Sequence, residues 1–418
     1  MKYNKVVVIG HFVVCFDNVI NGLLAVVMAS YFFKSSSSSI QLLASYASLI
    51  ALYATGPLGA VVFGRIGDKF GRKKALLVSI MGIGLPTCLI GVMPDYAVWG
   101  NIAPLLLVLL RLIQGVFKMS EAGGVFIYNY ETGNRGVSSS ANIEALGCFG
   151  GCFAALLCSI ITQEGMPNWG WRIPFICGGV FTFIIFVLRV RIRETDDFIQ
   201  VLKKNTLSKT PLKILFKKYK FRILTGVIIE GMLMSTAYSS MLFGNRLFQQ
   251  AGYSISQSMI FNVFDLLWMS LSQIICGKIA ERVGMLRQLK YGSLILLLLI
   301  WPVCLLISGE LTYMKIYSFM AIITFLSALG ESCVILYILK MFPISCRYSG
   351  YTFTDSSGSI IGSATPFMML LFSEMFHSNM GCAVWLFIVT VPAFVFICIM
   401  NRMIEKRGEF QEDWGAVQ

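Results

Sequence analysis

The sequence predicts an all-α polytopic membrane protein, with twelve membrane-crossing helices arranged as two pseudo-symmetric bundles of six. Three observations carry this. First, the 418 residues are 56% hydrophobic and 13% charged, about half the charged fraction of soluble domains. Several apolar runs exceed the ~20 residues that cross a bilayer. Second, 28 of the 34 Lys and Arg fall at the termini and in one set of loops, whereas only Lys34 and Lys315 fall in the opposite set. By the positive-inside rule both termini are expected in the cytoplasm. Third, the chain repeats. Gly64, Asp68, Gly71 and Lys74 map onto Gly277, Glu281, Gly284 and Arg287 at an offset of 213 residues. Asp17 maps onto Glu230 at the same offset, and Arg135 onto Arg347 at 212. Parallel six-helix repeats of this kind place a substrate site between the halves, near mid-membrane.

In chain order, spans are expected at 6–33, 41–64, 73–93, 104–129, 137–163, 171–190, 221–247, 257–280, 288–308, 314–341, 348–376 and 382–402. Ser35 to Ser39, Pro94-Asp95 and Gly165 to Gly170 read as external turns. This divides the chain into a first bundle (1–190), a charged linker (191–220), a second bundle (221–402) and a cytoplasmic tail (403–418). Within the linker, Thr210-Pro211 reads as a helix start. Leu212, Leu215, Phe216 and Tyr219 then recur at helical spacing, with Lys213, Lys217, Lys218 and Lys220 around them. That pattern predicts a basic amphipathic helix on the inner membrane surface, serving as a surface linker or a regulatory partner site.

Composition also excludes. The net charge of +13 would suit nucleic acid, but its confinement to one set of loops argues for topology instead. Nearly all of the twelve cysteines lie inside apolar segments, where they read as small hydrophobes. No CxxC or Cys/His cluster supports a metal, and His11 and His377 are the only histidines. The first apolar run is too long for a signal peptide and lacks a small-residue cleavage site. No nucleophile elbow, metal cluster or phosphate loop points to an enzyme, and no cofactor is implied. Gly123-Gly124 and Gly150-Gly151 read as close helix contacts.

The turn Gly64 to Lys74, GRIGDKFGRKK, resembles the loop between helices 2 and 3 of the major facilitator superfamily. RLIQG at Arg111 to Gly115 resembles that superfamily's RxxQG element. WGWRIPF (Trp169 to Phe175), the set Arg189, Glu194, Thr195 and Phe198, and FPISCRYSG (Phe342 to Gly350) narrow the resemblance to the metabolite:proton symporter family. That family includes proline/betaine, α-ketoglutarate, citrate and shikimate importers. The resemblance implies the facilitator fold, proton-coupled transport and a conformational latch at Gly64, Asp68, Gly71, Arg72 and the Glu131–Arg135 pair. There are departures. Where the family reads G-N-x-x-E-W-x-D, this chain reads Gly10-His11-Phe12-Val13-Val14-Cys15-Phe16-Asp17. Lys118, Met119 and Ser120 stand before Glu121 in place of small residues, and Asp196 replaces a Pro.

Ionisable side chains inside spans are functional candidates, because each is costly unless it faces a cavity or a partner. Arg111, Gln114, Lys118 and Glu121 share one stripe of span 4, within an arc of about 80°. Lys118 and Glu121, three residues apart, can neutralise each other. Asp17, one turn from Asn21, is the first proton-coupling candidate, joined by Glu121, Glu230 and Glu331. Asp265 and Asp355 rank lower, since spans 8 and 11 are less central to the family's cavity. Arg111, Gln114, Lys118 and Asn21 are the substrate-binding candidates, with Arg246 a further cation; an arginine fork suits a carboxylate. Tyr128, Tyr130, Tyr238 and Tyr337 could line the cavity or simply pack.

The sequence reading is therefore a secondary transporter importing a small organic acid or zwitterion with protons, by alternating access. Its rivals are a proton-independent exchanger, an exporter, and a transporter-like sensor that binds without flux. The expected partners are a small metabolite, protons and the lipid bilayer, with no nucleic acid. The expected setting is the bacterial inner membrane, where a monomer suffices.

Overall fold

In hydrocarbon, an apolar run must satisfy its own backbone, and a helix does so within one segment. The computed structural model describes residues 2–34, 38–203 and 211–407, and among these every regular element is helical. Span 1 is Lys2–Leu23 with Ala25–Phe32, and span 2 is Ser38–Ala54 with Gly56–Phe70. Spans 3 to 6 are Arg72–Val92, Ile102–Glu131, Val137–Ile161 and Arg172–Arg189. Span 7 joins Lys220–Tyr238 and Gly244–Gln250 through a wider π turn, Ser239–Phe243. Spans 8 to 10 are Ile255–Val283, Met285–Leu305 and Tyr313–Met341. Span 11 is Arg347–Ser363 with Thr365–Met375, and span 12 is Gly381–Arg407. The expected cap at Thr210, part of the Ser35–Ser39 turn and the tail beyond 407 lie outside the described residues.

Eleven described helical stretches are long and apolar enough to cross a membrane. Span 11 is not among them. More than half of Arg347–Ser363 is Ser, Thr or Gly. It is walled by spans 2 and 7, and Ser349, Thr352, Thr354, Ser356 and Ser359 are buried, so its polarity faces protein. Elsewhere Leu58, Leu85, Leu105, Leu298 and Met314 are each more than 60% exposed. In water so much bare leucine would mark an aggregation surface; around a membrane bundle it is the lipid face.

The repeat read from the sequence is a repeat of backbone devices. Gly71 (φ 105°) ends span 2 and begins span 3, and Gly284 (φ 96°) does the same between spans 8 and 9. Side-chain-bearing residues are strained at such angles. The acid of each motif also caps a helix of the other half. Asp68 accepts from the backbone N–H of Tyr348 (3.1 Å) and Ser349 (3.0 Å), and from Ser349 Oγ (2.7 Å), at the start of span 11. Glu281 accepts from Ser138 N–H (3.3 Å) at the start of span 5. Carboxylates suit both places because helix N-termini present unpaired N–H groups and a partial positive charge.

The expected amphipathic helix is present as Pro211–Lys218. Leu215 is buried, but Phe216 is 46% exposed, with its ring edge-on to Phe353. Tyr219 lies beyond the helix, as the buried N-cap of span 7. The side chains of Leu212 and Lys213 lie outside the described residues, and the helix ends one residue before Tyr219, the last position of the predicted face.

Candidate functional site

Three layers of polar groups cross the interior. The layer at the motif end ties the two halves. Arg72 pairs with Glu131 through two parallel bonds, Nε to Oε2 and Nη2 to Oε1, both 2.8 Å. Arg347 approaches the same carboxylate at 3.5 Å, and Thr195 Oγ1 donates to it at 2.9 Å. Glu194 accepts from the N–H groups of Arg72 (2.9 Å) and Lys73 (3.2 Å), capping span 3. The expected Glu131–Arg135 pair does not form. Span 4 ends at Glu131 and the chain turns at Gly133 (φ 102°), so the two residues are not successive turns of one helix. Arg135 bonds Asp197 at 3.1 Å instead.

The second layer is buried among spans 1 to 4 and 6. Asp17 Oδ1 accepts from Thr87 Oγ1 (2.8 Å) and Gln114 Nε2 (3.0 Å); its Oδ2 accepts from Gln114 (3.0 Å), Lys118 Nζ (3.2 Å) and Asn21 (3.2 Å). The expected neutralisation of Lys118 by Glu121 is thus overturned. The two residues share a stripe, about 60° apart around the helix, but each meets a nearer partner, Lys118 on span 1 and Glu121 on spans 3 and 6. Glu121 pairs with Arg189 and accepts from Ser79 Oγ at 2.7 Å. Arg111 bonds Ser48 Oγ and, at 3.5 Å, Met28 Sδ. Neither Glu121 nor Glu331 bonds it.

The third layer is a cavity of about 200 Å³ between the halves. Its wall includes five carboxylates, Glu144, Glu230, Asp265, Glu331 and Asp355, together with His11. Asp265 accepts from Ser240 Oγ (2.8 Å) and Thr324 Oγ1 (2.6 Å). Glu331 accepts from Ser327 Oγ (2.7 Å) and Gln273 Nε2 (2.8 Å). Met119, Phe126, Met234, Tyr238 and Tyr351 supply apolar and aromatic surface. No Lys or Arg is among the described lining residues.

The predicted residues therefore separate. Glu230 and Glu331 line the cavity, whereas Asp17, Asn21, Arg111, Gln114, Lys118 and Glu121 do not. The expectation that spans 8 and 11 stand back is overturned, since Asp265 and Asp355 lie on the wall. Of the four tyrosines proposed, only Tyr238 lines it; Tyr128 donates to Arg193 O (2.7 Å) and Tyr337 to Asn401 Oδ1 (3.1 Å). Arg246 pairs with Glu374 at 3.0 Å, away from the wall. Sequence reasoning missed Glu144, although it is the only charged residue in span 5, and it missed His11 and Cys15 as wall residues.

The buried layer and the cavity are joined by tyrosines. Lys118 Nζ sits 5.5 Å from the centre of the Tyr53 ring. Tyr53 and Tyr238 share a 2.5 Å hydrogen bond between their hydroxyls, span 2 to span 7. Tyr53 also donates to Asn18 Oδ1 at 3.5 Å, and both Asn18 and Tyr238 line the cavity.

The Major Facilitator Superfamily profile matches residues 7–366. The chain is 25% identical to the citrate-proton symporter of Klebsiella pneumoniae over 412 residues, covering 94% of this chain and 90% of that protein. It is 28% identical to the inner membrane metabolite transport protein YhjE of Escherichia coli K12 (95% and 93% covered). Identity to the proline/betaine transporter of Salmonella typhimurium is 27% (90% and 78% covered). The solved proton:xylose symporter XylE superposes with a TM-score of 0.74 at 14% identity, covering 95% of this chain and 94% of that one, a likeness of fold alone. With a profile match over most of its length, apolar helices that cross a membrane many times and a cavity between two six-span halves, the chain belongs to the Major Facilitator Superfamily, as an integral membrane secondary transporter and not an enzyme.

Proposed function

We propose that this transporter imports, together with protons, a small metabolite bearing a cationic nitrogen: a zwitterion, betaine or amine. The observation that carries the reading is the make-up of the cavity wall, five carboxyl side chains with no Lys or Arg among the described lining residues. A free carboxylate substrate would find no described Lys or Arg on the wall to pair with, and an unpaired buried charge is costly. A cation is attracted by those acids and by the ring faces of Phe126, Tyr238 and Tyr351. The expectation of an organic acid or zwitterion is thereby narrowed to its zwitterionic side. A cavity of about 200 Å³ lies below the ~300–1,000 Å³ of drug-sized sites, which suits a small solute.

In this reading Asp17 carries the proton. Ionised, it holds Lys118, Gln114, Thr87 and Asn21 around one carboxylate. Protonation removes the anion from beside a buried ammonium, and an unpartnered buried charge costs several kcal/mol, ~3–5 by removal of one partner. Loading Asp17 therefore favours moving span 4 against span 1. Lys118, Tyr53 and Tyr238 form the route between Asp17 and the cavity. Glu230 and Glu331 act on the substrate, with Asp265 and Asp355. Glu121, enclosed with Arg189, is a packing pair. The bundles 1–190 and 221–402 rock about the motif-end latch, with termini in the cytoplasm of a bacterial cell.

The test is proton flux into proteoliposomes loaded with a pH dye. Pools of amino acids, betaines and amines are compared with pools of di- and tricarboxylates. Internal acidification with a nitrogenous pool, lost in Asp17→Asn, is the expected result. Acidification by carboxylates alone would overturn the substrate class. No acidification by any pool, in inserted and folded protein, would favour an exchanger, an exporter or a sensor.

A further inference from the structure

We propose that the cavity wall carries a binding site for a first-row divalent cation of the zinc class, formed by His11 Nε2, Cys15 Sγ and one carboxylate oxygen of Glu144. The three donor atoms lie within 4.8 Å of one another. His11 Nε2 stands 3.4 Å from Cys15 Sγ and 3.3 Å from Glu144 Oε2. Donors held about 2.0–2.3 Å from a tetrahedral zinc ion stand about 3.3–3.8 Å apart. Two edges of a coordination triangle are therefore already set, and Glu144, whose side chain is 25% exposed, has freedom to close the third.

The donors sit on rigid supports. His11 and Cys15 are one turn apart on span 1, so both project from one face. Glu144 comes from span 5, which packs against span 1. Gly147, one turn beyond Glu144, keeps the neighbouring space open: a Cβ there would stand 2.7 Å from Cys15 Sγ and 2.9 Å from His11 Nε2. Imidazole, thiolate and carboxylate make a mixed set suited to zinc or cobalt and poorly suited to calcium or magnesium, which take oxygen ligands. All three residues line the cavity, so a fourth position faces the substrate space.

Co²⁺ reports on the site because a bound thiolate gives a charge-transfer band in the near ultraviolet. Purified full-length protein in lipid nanodiscs is titrated with Co²⁺ alone, then with Zn²⁺. The expected result is a band that saturates at one ion per chain and is displaced by Zn²⁺, which a tetrahedral set containing thiolate and imidazole favours. Cys15→Ser removes the band. Glu144→Gln and His11→Gln, checked for wild-type thermal stability, weaken binding by at least about tenfold, the scale of one lost ligand contact worth about 1.4 kcal/mol. Gly147→Ala keeps all three ligand residues but displaces the Cys15 and His11 side chains, and so weakens binding. Absence of the band in folded wild-type protein would overturn the proposal. So would a band that survives Cys15→Ser, since another thiol would then hold the ion. Binding is read without transport, so failure of the substrate reading leaves this result standing.

Discussion

Replacing Asp68 by Asn should open the motif end by an amount that can be worked from its hydrogen bonds. Asp68 accepts three bonds from Tyr348 and Ser349 at the N-terminus of span 11. It is only 5% exposed. Asparagine keeps the shape but turns one acceptor into a donor, so at least one of these bonds must break. A hydrogen bond to a charged group contributes about 1.5–3 kcal/mol. Loss of the anion at a helix N-terminus adds ~0.3–1 kcal/mol, more when partly buried. A total of about 3 kcal/mol corresponds to a shift of about 100-fold in an equilibrium. Spans 2 and 11 lie in different halves, so the shift acts on opening of the motif end. Cys346 is a native reporter. It precedes span 11 and is fully buried, and burial, followed by the nearby charge of Asp68, pushes its thiol up to about 12, which leaves it inert while that end is closed; labelling of Cys346 in Asp68→Asn is therefore compared across pH, since an opened end gives a rise at every pH and a lowered thiol pKa does not. Its maleimide labelling rate in membranes, read by mass spectrometry, should rise by about the same 100-fold until the open form dominates. An unchanged rate, in Asp68→Asn protein that is folded and inserted, would refute the reasoning.

Other outcomes follow from the same geometry. Asp17→Asn should abolish substrate-driven acidification of proteoliposomes while equilibrium substrate binding, measured by calorimetry, survives; loss of both would remove Asp17 from the coupling role. Arg189→Met should cost about 3–5 kcal/mol of stability by stranding Glu121, and the double change with Glu121→Gln should cost clearly less; equal losses in thermal melts would count against a closed pair. Gly284→Ala should cost about 1–3 kcal/mol through its positive φ, without altering the substrate profile in uptake assays. Tyr53→Phe removes the hydroxyl bridge to Tyr238, and proton-coupled uptake should slow while binding is kept; uptake at the wild-type rate would exclude that bridge from the route.

What could be read from the chain was whatever local pattern determines. Hydrophobic length marked the spans, and glycine at 71 and 284 marked the turns because no other residue is comfortable at those angles. The Asp17 layer was half legible. Gln114 and Lys118 on one stripe pointed inward, but which acid Lys118 would meet depended on how span 4 is rotated against span 1, and no sequence spacing encodes that. Arg189 and Glu194 stood out as a motif, yet their partners, Glu121 and the N-terminus of span 3, are 68 and 121 to 122 positions away. Glu144 was legible by the rule that singles out ionisable side chains inside spans, as the only charged residue of span 5, and was passed over. Asp265 and Asp355 were ranked low on family analogy, which speaks to average cavities, and this wall is lined by spans 8 and 11 as well.

The hydroxyl-rich character of span 11 has a consequence for how the protein is made. A segment that carries Arg347, Asp355 and a run of Ser, Thr and Gly is a poor candidate to leave the translocon by itself, since one central Asp or Arg costs about 2.5–3.5 kcal/mol on insertion. Its main walls are span 2, made early, and span 7, made midway, with span 4 touching it as well. The nascent chain must therefore keep span 2 accessible through the synthesis of eight further spans. The last six spans are then an incomplete module, because span 7 supplies one wall for span 11 and the other is a surface that the first half has already built.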